Sequence, residues 1–95
     1  GHQIKGEKMK KTEGYRIRKL EDEYVILPFG KRAEKVNEVI SLSETAGFMY
    51  LHAEEADSVD ELAELVSREY GVDKTVVYED VVSVVRILKE KGLLL

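Results

Sequence analysis

The stretch "VVYEDVVSVVRILKEKGLLL", residues 76–95, decides what kind of fold this chain can form. One set of its apolar residues has the i, i+4, i+7, i+11 spacing of a helix packed against a core: Val77, Val81, Val84 and Leu88. A second set lies roughly 100° further round the same helix: Tyr78, Val82 and Val85. Val76 and Ile87 extend the apolar surface in the other direction. A helix apolar over so much of its circumference needs neighbours on more than one side.

Two further helices are predicted upstream of this one, and each helix has a recognisable start. Ser43 is placed to N-cap the first helix. Ser58 and Glu61 form a capping box for the second, in which the carboxylate reaches back to the cap residue. Asp73 caps the third helix, which ends at Gly92.

Three strands are predicted before the helices. "YRIRKL" (15–20) alternates apolar and charged residues, which is typical of a half-buried strand, and "YVILP" (24–28) follows it across a short polar turn. "EVISL" (38–42) is the third strand, with Ile40 and Leu42 on its buried face. The sequence therefore predicts an α+β domain with three strands followed by three helices. Its predicted core is Ile40, Leu42, Phe48, Leu51, Leu62, Leu65, Val77, Val81, Val84 and Leu88.

Length and composition fit one soluble globular domain. The chain has 95 residues, of which 43% are hydrophobic and 36% charged. No apolar run approaches the ~20 residues that span a bilayer, so we expect no membrane partner and a cytoplasmic location. We assign residues 14–95 to the domain and residues 1–13 to a flexible N-terminal segment, in which Met9 is the expected native start.

Charge is distributed unevenly along the chain. Residues 1–35 contain ten Lys/Arg and six Asp/Glu, a balance of +4, whereas residues 36–95 contain five and thirteen, a balance of −8. The acidic part argues against binding to a nucleic-acid backbone, which requires clustered cations. The basic part could attract an acidic partner, although a run such as Lys8, Lys10 and Lys11 is usually a solvated tail.

The residues needed for catalysis or metal binding do not occur in a usable pattern. The chain has no cysteine, and His52 has no second histidine in the predicted domain to share a metal with. The serines have no plausible base, and no glycine-rich phosphate loop is present. We therefore predict a protein without catalytic residues, metal or cofactor.

A pattern spread over most of the chain resembles a known family. It consists of "EYVILPFGKRAEKVNEVISL" (23–42), "LSETAGFMYL" (42–51), "SVDELAELVSREYGVD" (58–73) and the closing stretch 76–95. From Gly14 to the C-terminus the sequence resembles the PqqD-like family, named after a protein of pyrroloquinoline quinone biosynthesis. Family members typically have Leu-Asn-Glu-Thr at the strand-to-helix junction and Trp at the position of Tyr50. Here Ser43 replaces that Asn, and it caps a helix equally well.

The resemblance implies a winged helix-turn-helix-like domain, with a three-stranded antiparallel sheet, that recognises the leader segment of a precursor peptide. Such domains present the peptide to a modifying enzyme, often a radical S-adenosylmethionine (SAM) enzyme. The leader adds as a strand to the third β-strand and lies between it and the third helix. The residues predicted to contact it are Glu38, Val39, Ile40 and Ser41 on the strand, Tyr78, Val82 and Val85 on the helix, and Arg86 and Lys89 at the rim.

Two other functions are compatible with a small domain of this architecture. A winged-helix DNA-binding regulator would use the third helix for recognition. Bases are read best by Arg, Lys, Asn and Gln side chains, and the start of this helix, "DKTVVYED", contains one such residue, Lys74. A structural homodimer could instead hide the apolar surface of the helix against a second copy. The same residues could also simply complete the core. We expect a monomer or a weak homodimer.

Overall fold

Three antiparallel strands come first in the computed structural model, which describes residues 8–95. The strands β1 (Tyr15–Leu20), β2 (Glu23–Pro28) and β3 (Ile40–Ser43) lie side by side in the order β1-β2-β3. A two-residue turn joins β1 to β2, and a short 3-10 turn (Gly30–Glu34) begins the connection to β3. The predicted hairpin and the predicted third strand are therefore confirmed.

The third strand begins two residues later than predicted. The pairing of β2 with β3 ends at Ile26 opposite Ile40. Continuing that register would bring Val39 and Glu38 opposite Leu27 and Pro28. A proline has no amide hydrogen to donate to the ladder, and the ladder stops before it reaches Pro28. Glu38 and Val39 thus precede β3 instead of belonging to it, which corrects the prediction.

Three α-helices follow the sheet: α1 (Glu44–His52), α2 (Val59–Tyr70) and α3 (Lys74–Glu90). Each begins at the N-cap that the sequence predicts. Ser43 Oγ accepts a hydrogen bond from the Ala46 amide at 3.1 Å, and Ser58 Oγ accepts one from the Glu61 amide at 3.2 Å. The Asp73 carboxylate accepts one from the Thr75 amide at 2.9 Å. These caps satisfy amides that the first turn of a helix leaves without partners.

The capping box at α2 differs in one bond from its prediction. The carboxylate of Glu61 accepts the amide of Asp57 at 2.8 Å, one residue before the cap residue Ser58. An exposed backbone amide just before the helix is satisfied in this way. The helix start was predicted correctly, but the return bond was assigned to the wrong amide.

The core lies between the inner face of the sheet and the three helices. Six of the ten predicted core residues are buried, and Phe48, Leu65 and Val84 are half-buried and pack against the core. Leu51 is also half-buried, but it is not among the residues that pack against this core. The buried residues that were not on the predicted core list are Met9, Ile26, Ala46, Met49, Tyr50, Ala53, Ala56, Ala63, Val66, Val85, Leu93 and Leu94.

The core stripe of α3 includes Val85 where the sequence predicted Val84. The buried residues of this helix are Val77, Val81, Val85 and Leu88. Val85 is only 5% exposed, so it belongs to the core, and its assignment to the peptide-binding wall is corrected. The i, i+4, i+8, i+11 spacing describes a helical stripe as well as the predicted one, and only the direction in which α3 faces the sheet separates the two.

The segment before β1 packs on the domain. The side chain of Met9 is 1% exposed, and the Thr12 amide donates to the Leu93 carbonyl at 3.0 Å. The Leu95 amide donates to the Lys10 carbonyl at 2.8 Å. The predicted domain boundary at residue 14 therefore excluded a segment that contributes to the core. The predicted flexibility of residues 1–7 lies outside the described residues.

None of the helices in residues 8–95 combines the length and the apolar character needed to cross a membrane.

Candidate functional site

The outer edge of β3 is open for pairing. This strand forms its ladder with β2, and no other backbone segment within residues 8–95 pairs with its second edge. The opposite edge of the sheet, β1, carries Arg16, Arg18 and Lys19, and charged side chains discourage an incoming strand. The sequence of β3 is Ile-Ser-Leu-Ser and has no charge. Of the two sheet edges, β3 is therefore the better template for strand addition.

One flank of α3 carries partly exposed apolar side chains beside the core. Tyr78 is 39% exposed and Val82 is 37% exposed, one helical turn apart. Arg86 lies one turn beyond Val82, and Lys89 follows on the same flank. We call the surface formed by Tyr78, Val82, Arg86 and Lys89 the α3 flank. It offers apolar area in the middle of the helix and positive charge toward the C-terminal end.

The predicted site residues fall into a buried pair and two exposed groups. Ile40 of β3 and Val85 of α3 are both buried in the same core cluster. Glu38, Val39 and Ser41 are exposed at and just before the beginning of β3. The other exposed group is the α3 flank. Because both elements are anchored in one packed core, the two exposed groups keep a fixed position relative to one another.

The beginning of α3 is poor in free positive charge. Lys74 is the single cation between residues 74 and 85, and its ammonium group lies 2.8 Å from an Asp60 oxygen and 3.2 Å from a Glu64 oxygen of α2. Glu79 and Asp80 on the same part of the helix are exposed. An exposed acidic surface repels DNA phosphates, so the DNA-binding alternative is not favoured.

His52 takes part in a local contact at the end of α1. Its Nδ1 lies 2.8 Å from a Glu55 carboxylate oxygen, and its ring centroid lies 4.3 Å from that of Phe48. Within the described part of the chain, no group of three or more His, Asp or Glu side chains is arranged to hold a metal ion.

Comparison with known proteins identifies one family and two solved structures with a similar fold. The family model described as "Coenzyme PQQ synthesis protein D (PqqD)" matches residues 23–94. The chain belongs to the PqqD family. A search of curated proteins finds no match. The matched region of this PqqD-family chain runs from the first residue of β2 past the end of α3, and it contains every predicted peptide-contacting residue.

Two solved structures share the fold of this PqqD-family chain. "TbiB1 in Complex with the TbiA(beta) Leader Peptide" is 24% identical with a TM-score of 0.67, covering 90% of this chain and 93% of that one. "Lasso peptide synthetase B1 complexed with the leader peptide" is 22% identical with a TM-score of 0.70, covering 93% and 98%. At these identities the likeness shows a common fold. Each of those two proteins is described as a complex with a leader peptide.

The family-specific positions behave as the resemblance implies. Ser43, where relatives typically have Asn, caps α1 as that Asn would. Tyr50, where relatives typically have Trp, is 3% exposed and fills a core position. The Lys11 ammonium group lies over the Tyr50 ring, 5.2 Å from its centroid. This residue of α1 therefore connects the core to the N-terminal segment of this PqqD-family chain.

A second concave surface was missed by the sequence analysis. It lies where β1 begins and β2 ends, and its side chains include Lys31, Arg32 and Lys35. The sequence signal for this surface is the positive balance of residues 1–35, to which Lys31, Arg32 and Lys35 contribute.

Proposed function

We propose that this PqqD-family chain binds the leader segment of a precursor peptide and presents it to a peptide-modifying enzyme. The chain acts as a binding protein and performs no chemistry itself. The modifying enzyme is of the radical SAM class in this proposal. The leader adds as a strand to the open edge of β3 and contacts the α3 flank.

The observation that supports the proposal is the presence of two exposed surfaces in one small domain, the unpaired edge of β3 and the partly apolar α3 flank. The uncharged edge of β3 has backbone groups available, and the α3 flank exposes Tyr78 and Val82 beside the core. Backbone pairing gives affinity with little dependence on sequence, and side-chain pockets supply the selectivity. Two structures of the same fold, both described as leader-peptide complexes, support this assignment.

The chemistry of the site favours a particular kind of leader. Alternate side chains of an added strand point to opposite faces, so every second leader residue would face the helix. An apolar leader residue there would cover Tyr78 and Val82. A carboxylate one or two positions away could pair with Arg86 or Lys89 at the solvent-exposed rim, where charge affects the association rate more than the affinity.

The test is calorimetric titration of the cognate leader into the wild-type chain and into Val82→Asp. Binding should weaken about tenfold or more, because a buried polar group without a partner costs about 1–3 kcal/mol and a charged group costs more. The melting temperature should stay close to that of the wild type, since Val82 is 37% exposed and the buried stripe of α3 is unchanged.

Val76→Asp is the matched control, because it places the same carboxylate on the other side of α3. Val76 is 64% exposed, and this variant should bind the leader normally. Arg86→Ala should weaken binding less than Val82→Asp and reduce its dependence on salt. Normal binding by Val82→Asp would place the leader elsewhere, and unfolding of that variant would assign Val82 to the core. Either result would reject the site as proposed.

A further inference from the structure

A basic, aromatic cleft lies at the end of the sheet where β1 begins and β2 ends. Its volume is about 710 Å³, and its lining residues are Tyr15, Phe29, Lys31, Arg32 and Lys35, together with Glu13, Gly14 and Gly30. The 3-10 turn after β2 supplies Lys31 and Arg32, and Lys35 follows that turn directly. No residue of the proposed leader site lines this cleft, which we call the basic cleft.

The position of Arg32 in the basic cleft is fixed by its neighbours. Its Nε donates a hydrogen bond to the Glu13 carbonyl at 2.9 Å, and its guanidinium carbon lies 5.2 Å from the Tyr15 ring centroid. Gly14 has a φ of +94°, and a Cβ there would lie 2.8 Å from Arg32 Nε. Only glycine therefore allows Arg32 to fold over Tyr15. The two terminal nitrogens of the guanidinium group remain available for a carboxylate, which they can bind in a bidentate manner.

The cations around this cleft form no ion pair within residues 8–95, and one acidic residue, Glu13, lines the cleft beside them. Arg16 makes none either, and its guanidinium carbon lies 4.8 Å from the ring centroid of Phe29. Three cations line this cleft against one acid, Glu13, and an anionic ligand would relieve the repulsion that remains between them. The rings also provide apolar area for an uncharged part of the same ligand.

We infer that the basic cleft binds an acidic segment of a protein partner, one in which carboxylates flank an aromatic or apolar side chain. A polypeptide fits better than a nucleic acid or an anionic membrane. Residues 36–95 carry a balance of −8, so an extended anionic surface would be repelled by the rest of the domain, whereas a short acidic segment meets the local excess of cations over the single acid Glu13. This interaction goes beyond leader recognition and does not depend on it.

The experiment uses a short synthetic peptide with a single Trp between Asp and Glu residues. The protein has no Trp, so the fluorescence of the peptide reports its binding. The full chain should bind this peptide, with an affinity that falls as salt is added. A peptide with Asn and Gln in place of the acids should bind at least about threefold more weakly.

The Lys31→Gln/Lys35→Gln variant should bind the acidic peptide about three- to tenfold more weakly, as expected for two exposed ion pairs. Arg68→Gln/Lys91→Gln is the matched control, because it removes two exposed cations that do not line the cleft, and it should change binding less than twofold. Val82→Asp should bind the acidic peptide as the wild type does.

Other outcomes would overturn the inference. An equal loss in the control variant would show a non-specific charge effect. Loss of binding in Val82→Asp would assign the peptide to the leader site. Binding of anionic phospholipid vesicles or single-stranded DNA, without binding of the acidic peptide, would replace the protein partner by one of those ligands. Salt-sensitive self-association that Lys31→Gln/Lys35→Gln abolishes would identify a second copy of this chain as the occupant.

Discussion

Gly47 lies in the middle of α1, where its backbone comes against the ring of Tyr24 from β2. A Cβ added at this position would overlap three carbon atoms of that ring. Glycine is unfavourable inside a helix by about 0.5–1 kcal/mol relative to alanine, and this close contact between α1 and the sheet explains why it is present. The contact brings α1 close to the strand that is paired with β3.

We predict that Gly47→Ala destabilises the protein, although alanine is the better helix former. The overlap with Tyr24 forces the helix or the ring to move, at a cost of about 1–3 kcal/mol, which exceeds the gain in helix propensity. Denaturant unfolding of both proteins measures the difference. In a Tyr24→Leu background, Gly47→Ala should be neutral or stabilising. An equal loss in both backgrounds would show that the ring does not limit this position.

At the scale of the element, α3 is divided between the core and the surface. Its buried stripe of Val77, Val81, Val85 and Leu88 holds the helix on the domain, and its flank leaves Tyr78 and Val82 partly exposed. The opposite side exposes Val76 and Ile87. The same helix therefore stabilises the fold and presents a binding surface, and substitutions on different sides of it should have separable effects.

We predict that Leu88→Ala lowers the free energy of unfolding by about 2–5 kcal/mol. Leu88 is completely buried, so its truncation leaves a cavity beneath α3. Ile87→Ala is the control on the adjacent residue, and its cost should be clearly smaller because Ile87 is 42% exposed. Unfolding curves for the two variants give the comparison. A cost for Leu88→Ala below about 0.5 kcal/mol, the range of ordinary surface substitutions, would contradict the orientation of α3.

At the scale of the whole molecule, the two ends of the described chain are packed together. Lys11 and Leu94 form an antiparallel bridge, and the Lys11 amide donates to a Glu54 carboxylate oxygen at 2.8 Å. Met9, Leu93 and Leu94 are all buried in the single core. The segment before β1 thus contacts the residues that follow α3 and the short 3-10 turn Ala53–Glu55 that follows α1.

Met9→Ala should destabilise the whole domain by about 2–5 kcal/mol, as a large-to-small change at a buried site does. The side chain of Met9 is 1% exposed. Lys8→Ala provides the neighbouring control, since the Lys8 side chain is 68% exposed and its pairing with Asp57 at 3.7 Å is worth little. Thermal or denaturant unfolding measures the stability of Met9→Ala and of Lys8→Ala against that of the wild type. Equal stability of Met9→Ala and the wild type would mean that the N-terminal segment contributes nothing to the core.

The sequence by itself determined the features that depend on neighbouring residues. The hairpin, the three helices and their caps at Ser43, Ser58 and Asp73 were predicted correctly, because strand alternation, helical spacing and capping bonds involve residues a few positions apart. The family and its fold also follow from a pattern along the chain. The same spacing placed Tyr78 and Val82 beside the core stripe of α3, and the structure leaves both partly exposed.

Only the tertiary structure decided the features that depend on distant residues. The choice of Val85 over Val84 reflects the rotation of α3 against the core, which 3.6-residue spacing leaves open within one position. Met9 is buried in the same core as Leu93 and Leu94, more than eighty positions away. The basic cleft assembles Tyr15 from β1 with Lys31 and Lys35 from beyond β2. In each case the deciding energy comes from contacts between segments far apart in sequence, and local patterns carry no information about them.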